Sequence, residues 1–476
     1  MNSKLLKNYG SILLYQLVTI LTPLLTTPYI SRVFGPETLG LEAYLYSFIQ
    51  LFSLVILLGL PTYASKKIAE TTRQNTKQLF SEFVSFQLIL TGTTSMLYIL
   101  FICYFNQYKF LLLLYLVTLI STGLDTSWYF VGKEKISAIM LRNIVVKIST
   151  VIATFIFVKT SHDLWVYILI NGLSLFLGQL LTGTIALKEV KGFVFVWLPL
   201  VKHIRSILLL FVVPSMLILT LSINKLLLES FNGTVQVGIF NQSYKLYAIG
   251  ISFISALTSV LMPKMTKYYS TGDTKQFKKY MNFSIRFISG IALPLTVGII
   301  VMAPQFIPWF LGKEFSIVSN SLKIVALSFV VKGLSDVIGI QYLVVTNKNK
   351  EYAWAVISGA VTTISTCYLF LRWNFQSQAP AIGLLLGTCV ALLIELYHAR
   401  KVISICYVGK CLVNYLVLSL VMGFCIISAS IYLKIENIGL SLITQLMVGF
   451  VSYGICLLIS KDPVLYLIKR KKSESR

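Results

Sequence analysis

Lys332 and Asp336 stand four residues apart inside an apolar run from Asn320 to Val344, with Ser328 one turn earlier. That spacing puts an ammonium and a carboxylate on one helix face. There they can neutralise each other and hold helices together, or share a ligand. Lys245 lies in another apolar run, on a stripe with Asn241 and Ser252, and Lys225 follows Asn224 toward the outer end of a third. Asp125 continues a stripe of Thr118, Ser121 and Thr122. Gln16, Thr19, Thr22 and Thr26 line one side of the first run, and Arg32 follows directly after it. A charge near the centre of a membrane-spanning helix costs about 2.5–3.5 kcal/mol, so each should meet a partner or water. Reaching to the membrane surface accounts for Lys225 and Lys323, whereas Lys245 sits too deep for that. Glu395, near a cytoplasmic end, is expected at the interface. Any one polar stripe is explained by helix–helix adhesion. Several stripes with deep lysines favour a water-filled cavity, net positive in its middle and outer part, and such a cavity suits an anion, phosphate above all.

The elements that carry these residues must be membrane helices. Only 12% of the 476 residues are charged, 56% are hydrophobic, and the mean hydropathy is +0.80. A soluble domain carries about 25% charged residues, so this chain cannot cover itself with polar surface. Disorder, a secreted disulfide scaffold and an ordinary cytosolic enzyme are excluded. The seven cysteines are scattered, mostly through apolar runs, and read as small buried hydrophobes.

Apolar runs of about 20 residues recur at 10–30, 40–60, 80–104, 110–131, 138–158, 164–187, 206–226, 237–261, 287–307, 320–344, 352–371, 381–398, 411–433 and 440–460. They predict an all-α integral membrane protein of about fourteen transmembrane helices. With the N-terminus placed inside, 31 of the 41 Lys and Arg fall on inner segments and 6 on outer ones, the latter including Arg32, Lys109 and Lys159. The net charge of +24 is therefore the positive-inside rule at work, not a nucleic-acid surface, and both termini are expected in the cytoplasm. The linkers 188–205 and 263–286 mix lysines with aromatics (Phe193, Phe195 and Trp197; Tyr268, Tyr269 and Phe277), as segments at the headgroup layer do.

An internal repeat is legible. Gly35-Pro-Glu-Thr-Leu-Gly40 leads into a run with an early Tyr44 and ends at Leu60-Pro61. Gly233-Thr-Val-Gln-Val-Gly238 leads into a run with an early Tyr244 and ends at Met262-Pro263. The copies lie about six helices apart, an even number, so they should face the same way, as parallel repeats do in transporters. Prolines within spans, such as Pro23, Pro28, Pro214 and Pro294, allow the bends a rocking carrier needs. The chain has no GxxxxGK[ST], no HExxH, no serine-nucleophile motif and no metal-spaced His/Cys cluster. It is expected not to be an enzyme and to need no cofactor.

The stretch from Thr26 to Tyr44, TTPYISRVFGPETLGLEAY, resembles the first-loop signature of bacterial polysaccharide repeat-unit flippases of the Wzx type. These belong to the multidrug/oligosaccharidyl-lipid/polysaccharide exporter superfamily. Val237–Tyr244 and Leu261-Met-Pro-Lys264 are similar to the matching pattern of the second half. The resemblance implies two parallel six-helix lobes, 1–195 and 196–402, in a V around a central cavity, with an extra helix pair and basic cytoplasmic tail at 403–476. It implies a multi-pass protein of the bacterial cytoplasmic membrane. Its substrate would be an oligosaccharide linked to undecaprenyl pyrophosphate, turned to the outer leaflet by alternating access for capsule, O-antigen or exopolysaccharide assembly. Polysaccharide polymerase and glycosyltransferases are implied partners, beside membrane lipids. Arg32, Lys225, Lys245 and Lys332 become candidate pyrophosphate ligands; Asp125, Asn241 and Asp336 become candidate cavity or coupling residues. Where many relatives pair an acid with a base at the seventh helix's outer end, Asn224-Lys225 keeps only the base. The alternatives are a cation-coupled multidrug or metabolite extruder of the same superfamily, which would need deep carboxylates, and a non-transporting scaffold of a glycan-assembly complex.

Overall fold

A computed structural model describes residues 3–71, 75–105, 107–197, 204–433 and 435–460. The basic tail expected beyond residue 460 lies outside the described residues, as does Lys434. Regular structure among the described residues is entirely helical. In chain order the helices are α1 (Ser3–Leu57), α2 (Leu60–Glu70), α3 (Thr76–Tyr104), α4 (Lys109–Gly123), α5 (Ser127–Gly132), α6 (Ile136–Phe157) and α7 (Leu164–Val190). They continue with α8 (Ile204–Ser270), α9 (Thr274–Leu311), α10 (Val318–Ser335), a π-helical segment (Asp336–Val344), α11 (Asn349–Arg372), α12 (Gln378–Ala399), α13 (Ile405–Leu433) and α14 (Ile438–Ile459).

Twelve of these stretches are long and apolar enough to cross a membrane. The fourteen runs read from the sequence differ from this number because two of the stretches each hold a pair of runs. Leu21–Glu70 and Phe211–Ser255 have 50 and 45 residues, or about 75 and 68 Å of helix at 1.5 Å per residue. The hydrocarbon core is only about 30 Å thick. Each is interrupted by a glycine, Gly35 with φ 67° and ψ 177°, and Gly233 with φ 79° and ψ 175°. That corner of backbone space is open almost exclusively to glycine, because a Cβ would collide with the chain itself. The two glycines are the ones that open the sequence repeat, and they share one backbone conformation.

The chain divides into two compact units, Met1–Leu226 and Leu227–Arg476, so the run 206–226 groups with the first. In unit 1 the core gathers Leu60, Tyr63 and Ile68 of α2, Phe80 and Phe83 of α3, and Trp128, Tyr129 and Phe130 of α5. Gly59 starts α2 with φ 78°, and an added Cβ would stand 2.8 Å from the Ile207 carbonyl oxygen. Gln87 of α3 joins the break between α4 and α5. Its Nε2 donates to the carbonyls of Thr122 (3.3 Å) and Asp125 (3.1 Å), and its Oε1 accepts from Trp128 Nε1 at 3.3 Å. The extended segment 192–197 lies along α3, with Val194 N donating to Ser81 Oγ (3.2 Å) and Val196 N to Ser85 Oγ (3.0 Å). Two residues of extended chain advance about as far as four residues of helix, so both hydroxyls are reached in turn.

Unit 2 is built around α9, α10, the π segment and α12. Ile254, Ile285, Ile288, Phe329, Val337 and Leu384 belong to its main core. The α13–α14 pair packs on α9 through a smaller cluster of Met302, Met422, Ile426 and Leu442. Two polar ties add to it, Tyr453 Oη donating to the Gly290 carbonyl at 2.6 Å and Gln445 Nε2 to Gln305 Oε1 at 2.7 Å.

Candidate functional site

Three charged groups of unit 2, Lys332, Asp336 and Glu395, converge where α10 passes into the π segment. Lys332 Nζ donates to Asp336 Oδ1 at 2.7 Å, and Ser255 Oγ of α8 donates to Asp336 Oδ2 at 2.6 Å. The pair is lopsided: the lysine side chain is 36% exposed, the aspartate 6%. The carboxylate is enclosed by packed protein, and the lysine side chain is the more accessible of the two. Ser335, between them in sequence, donates to Glu395 Oε1 of α12 at 3.1 Å, while Glu395 Oε2 is buried with no hydrogen-bond partner in the protein. Tyr244, Tyr352 and Glu395 stand close enough to Lys332 to feel its charge.

The π segment makes this geometry possible. Gly339 leaves room for two neighbours, since an added Cβ would meet Tyr352 Cε2 at 2.5 Å and Glu395 Oε1 at 2.8 Å. Gln341 is wholly buried and neither of its amide heteroatoms finds a partner. π segments inside α-helices occur frequently at functional sites. Here one concentrates two carboxyls, an ammonium and an unsatisfied amide within a few turns.

The remaining predicted residues sit as follows. Lys245 is half-buried, and among the described residues no carboxylate lies within ion-pair distance of it. Asn241, one turn earlier on α8, is buried. Lys225, expected to reach the membrane surface, is instead 7% exposed inside the protein. Its neighbour Asn224 is fully buried, with both amide heteroatoms unpartnered. Arg32 is exposed, and its Nη1 donates to the Pro28 carbonyl one turn back at 3.1 Å. Asp125 leaves the α4 stripe for the break after α4, where its Oδ1 accepts from Ser127 N at 2.8 Å and starts α5. The structure thus brings Lys332 and Asp336 together and gives Asp125 a local turn to hold.

Beside Lys225 and Asp125, three more residues correct the sequence reading. Glu395 is not interfacial but wholly buried, drawn in by Ser335 sixty residues away. Arg142 and Lys147, counted with the inner segments, lie within the candidate span Ile139–Phe157. Lys147 Nζ donates to Thr19 Oγ1 of α1 at 2.9 Å, and Arg142 bonds the Gly178 carbonyl and the Thr182 hydroxyl of α7. No short-range spacing signals these partners. The one available clue is that both bases fall inside a run otherwise apolar for some twenty residues. Among the described residues, no group of three or more His, Cys, Asp and Glu is placed to hold a metal ion.

Two compact helical units with charges buried inside apolar spans define a multi-pass membrane protein. The fold is that of the lipid II flippase MurJ in an inward closed conformation, with a TM-score of 0.74 at 17% identity, covering 96% of this chain and 99% of that one. A multidrug resistance MATE family transporter of the MOP superfamily, in its inward-facing conformation, follows at 0.63 and 15% identity, over 83% and 95%. Residues 5–269 match the family model described as polysaccharide biosynthesis protein, and the chain belongs to that family. Two relatives carry the name "Putative O-antigen transporter". The one from Shigella dysenteriae is 22% identical over 361 residues, 75% of this chain and 90% of its own length. The one from Escherichia coli (strain K12) is 24% identical over 398 residues, 80% and 93% respectively.

Proposed function

We propose that the protein is a flippase that carries oligosaccharide repeat units linked to undecaprenyl pyrophosphate from the inner to the outer leaflet of the bacterial cytoplasmic membrane. Both termini lie in the cytoplasm, the two units operate by alternating access, and the product feeds O-antigen, capsule or exopolysaccharide assembly. The neighbouring machinery comprises a polysaccharide polymerase and glycosyltransferases. Relatives named as O-antigen transporters support the substrate class.

The observation that carries the reading is the surplus of cations inside the spans. Among the described residues no carboxylate lies within ion-pair distance of Lys245, Lys225 is buried, and the Lys332 side chain is the more accessible member of its ion pair. Such groups bind an anion that is also multiply charged, as a diphosphate is. Arg32 adds a guanidinium before the Gly35 turn, Asn241 lines the approach to Lys245, and Asp336 and Asp125 hold backbone and lysine in place. At roughly 2.3 kcal/mol per charge per 100 mV, a doubly charged headgroup moving outward gains about 4–5 kcal/mol from an inside-negative potential.

The test is flipping of a labelled undecaprenyl-pyrophosphate oligosaccharide in reconstituted vesicles. Wild-type protein exposes the label to an external enzyme, and Lys245→Gln with Lys332→Gln abolishes this. Undiminished flipping by the double variant refutes the reading. The buried carboxyls Asp336 and Glu395 favour one second reading, a cation-coupled extruder, in which the same double variant keeps organic-cation efflux and glycan export never depends on the protein.

A further inference from the structure

We propose that binding of an anionic ligand at Lys332 makes Asp336 take up a proton, so that the site loads a diphosphate and a proton together. This rests on the assignment of Lys332 to the pyrophosphate.

The asymmetry of the pair is the starting point. A ligand can reach the lysine, which is 36% exposed, but not the aspartate, which is 6% exposed. A doubly charged phosphate group attracts Lys332 more strongly than one carboxylate does and draws Nζ away from Asp336, whose two oxygens are committed, Oδ1 to Lys332 and Oδ2 to Ser255. Once the ligand draws Nζ off Oδ1, Asp336 keeps a single neutral hydrogen bond, from Ser255, in a packed interior. An ionised carboxylate in that state is strongly disfavoured and neutralises instead.

The elements around it offer no replacement charge. From α8 the site meets Ser255, Tyr244 and Tyr247, from α11 Tyr352, and from α9 the apolar Ile285 and Ile288. From α12 it meets Glu395, a second carboxyl that makes the vacated position more negative still. Among the described residues no cation other than Lys332 pairs with Asp336. The neutralising cation must then come from solution, and a proton is the one that a carboxyl with a closed surround accepts. The bond formed is O–H on Asp336 Oδ1, with the proton supplied by buffer. Linkage makes the effect reciprocal, so a lower pH tightens anion binding and a higher pH weakens it.

Isothermal titration of the purified protein in lipid nanodiscs with inorganic pyrophosphate, run in buffers of different ionisation heat, measures the protons taken up per ligand. Comparison with Asp336→Asn cancels the probe's own titration. Wild type is expected to take up about one proton more than the variant, and to gain up to about tenfold in affinity relative to it for each unit that pH falls. If Asp336→Asn does not fold, infrared difference spectra of the wild type serve instead. Adding pyrophosphate should create a protonated-carboxyl stretch that persists in Glu395→Gln. Pyrophosphate that binds through Lys332 with equal proton uptake in both proteins, or without the new band, overturns the inference and leaves the ligand assignment standing. Loss of the band in Glu395→Gln moves the proton to Glu395 and overturns its placement on Asp336. Failure of pyrophosphate to bind through Lys332 overturns both.

Discussion

Lys332 neutralises Asp336 and is proposed here to meet the anion as well, and a double-mutant cycle separates the two roles. Lys332→Gln leaves a carboxylate that is 6% exposed without its counter-charge. Breaking a fully buried pair costs about 3–5 kcal/mol. The lysine is 36% exposed, and solvent screening on that side brings the expected loss to about 2–3 kcal/mol. Asp336→Asn strands the ammonium instead, which has an outward path, so its loss should be smaller, about 1 kcal/mol. The double variant removes both charges and should return to within about 1 kcal/mol of wild type, a coupling of about 2–4 kcal/mol. Thermal unfolding of detergent-purified protein reads the stability arm, and restoration of surface glycan in a strain lacking its own flippase reads the export arm. Stability should be restored in the double variant while export stays lost. If export returns together with stability, the lysine serves only to neutralise its neighbour, and its assignment to the ligand is wrong.

Three further outcomes follow from other parts of the structure. Gly233 and Gly183 both have open space where a Cβ would go, yet only Gly233 has a positive φ; Gly233→Ala should cost about 1–3 kcal/mol, whereas Gly183→Ala, mid-helix in α7, should be neutral or stabilise by up to about 1 kcal/mol. Equal melting temperatures for these two variants would show that the glycine corner is not strained for alanine. Gln87→Leu removes three hydrogen bonds at the α4–α5 break and should lower stability by about 2–4 kcal/mol, seen as early proteolysis around residues 124–126. Collapsing the membrane potential in loaded vesicles should slow net outward flipping; an unchanged rate under an ionophore would remove the potential from the energetics.

The fold was readable because its signals are local or periodic. Apolar runs, basic loops and the paired Gly35 and Gly233 announce themselves in any short window. Lys332 and Asp336 were visible for the same reason, being one turn apart. What stayed hidden depends on partners far along the chain. Glu395 is pulled inside by Ser335 and Gly339, sixty and fifty-six residues away, and Gln87 matters because its amide reaches Thr122 and Asp125. Lys147 looked like a loop residue until Thr19 supplied an acceptor 128 positions earlier. The helix interruptions were missed in part because a break within a span keeps the same hydropathy. Asp125 shows the consequence, since three-to-four spacing placed it on a stripe that the chain had already left.

A π turn holds one residue more than an α turn, so the stretch from Asp336 to Val344 is a rod with slack wound into it. Slack of that kind can migrate. If the extra residue passes along the rod, everything beyond it rotates by part of a revolution while the backbone hydrogen bonds open one at a time and re-form behind it. Lys348, four residues past the segment, would swing with it, and the turn that leads into α11 would register a change made at the ion pair.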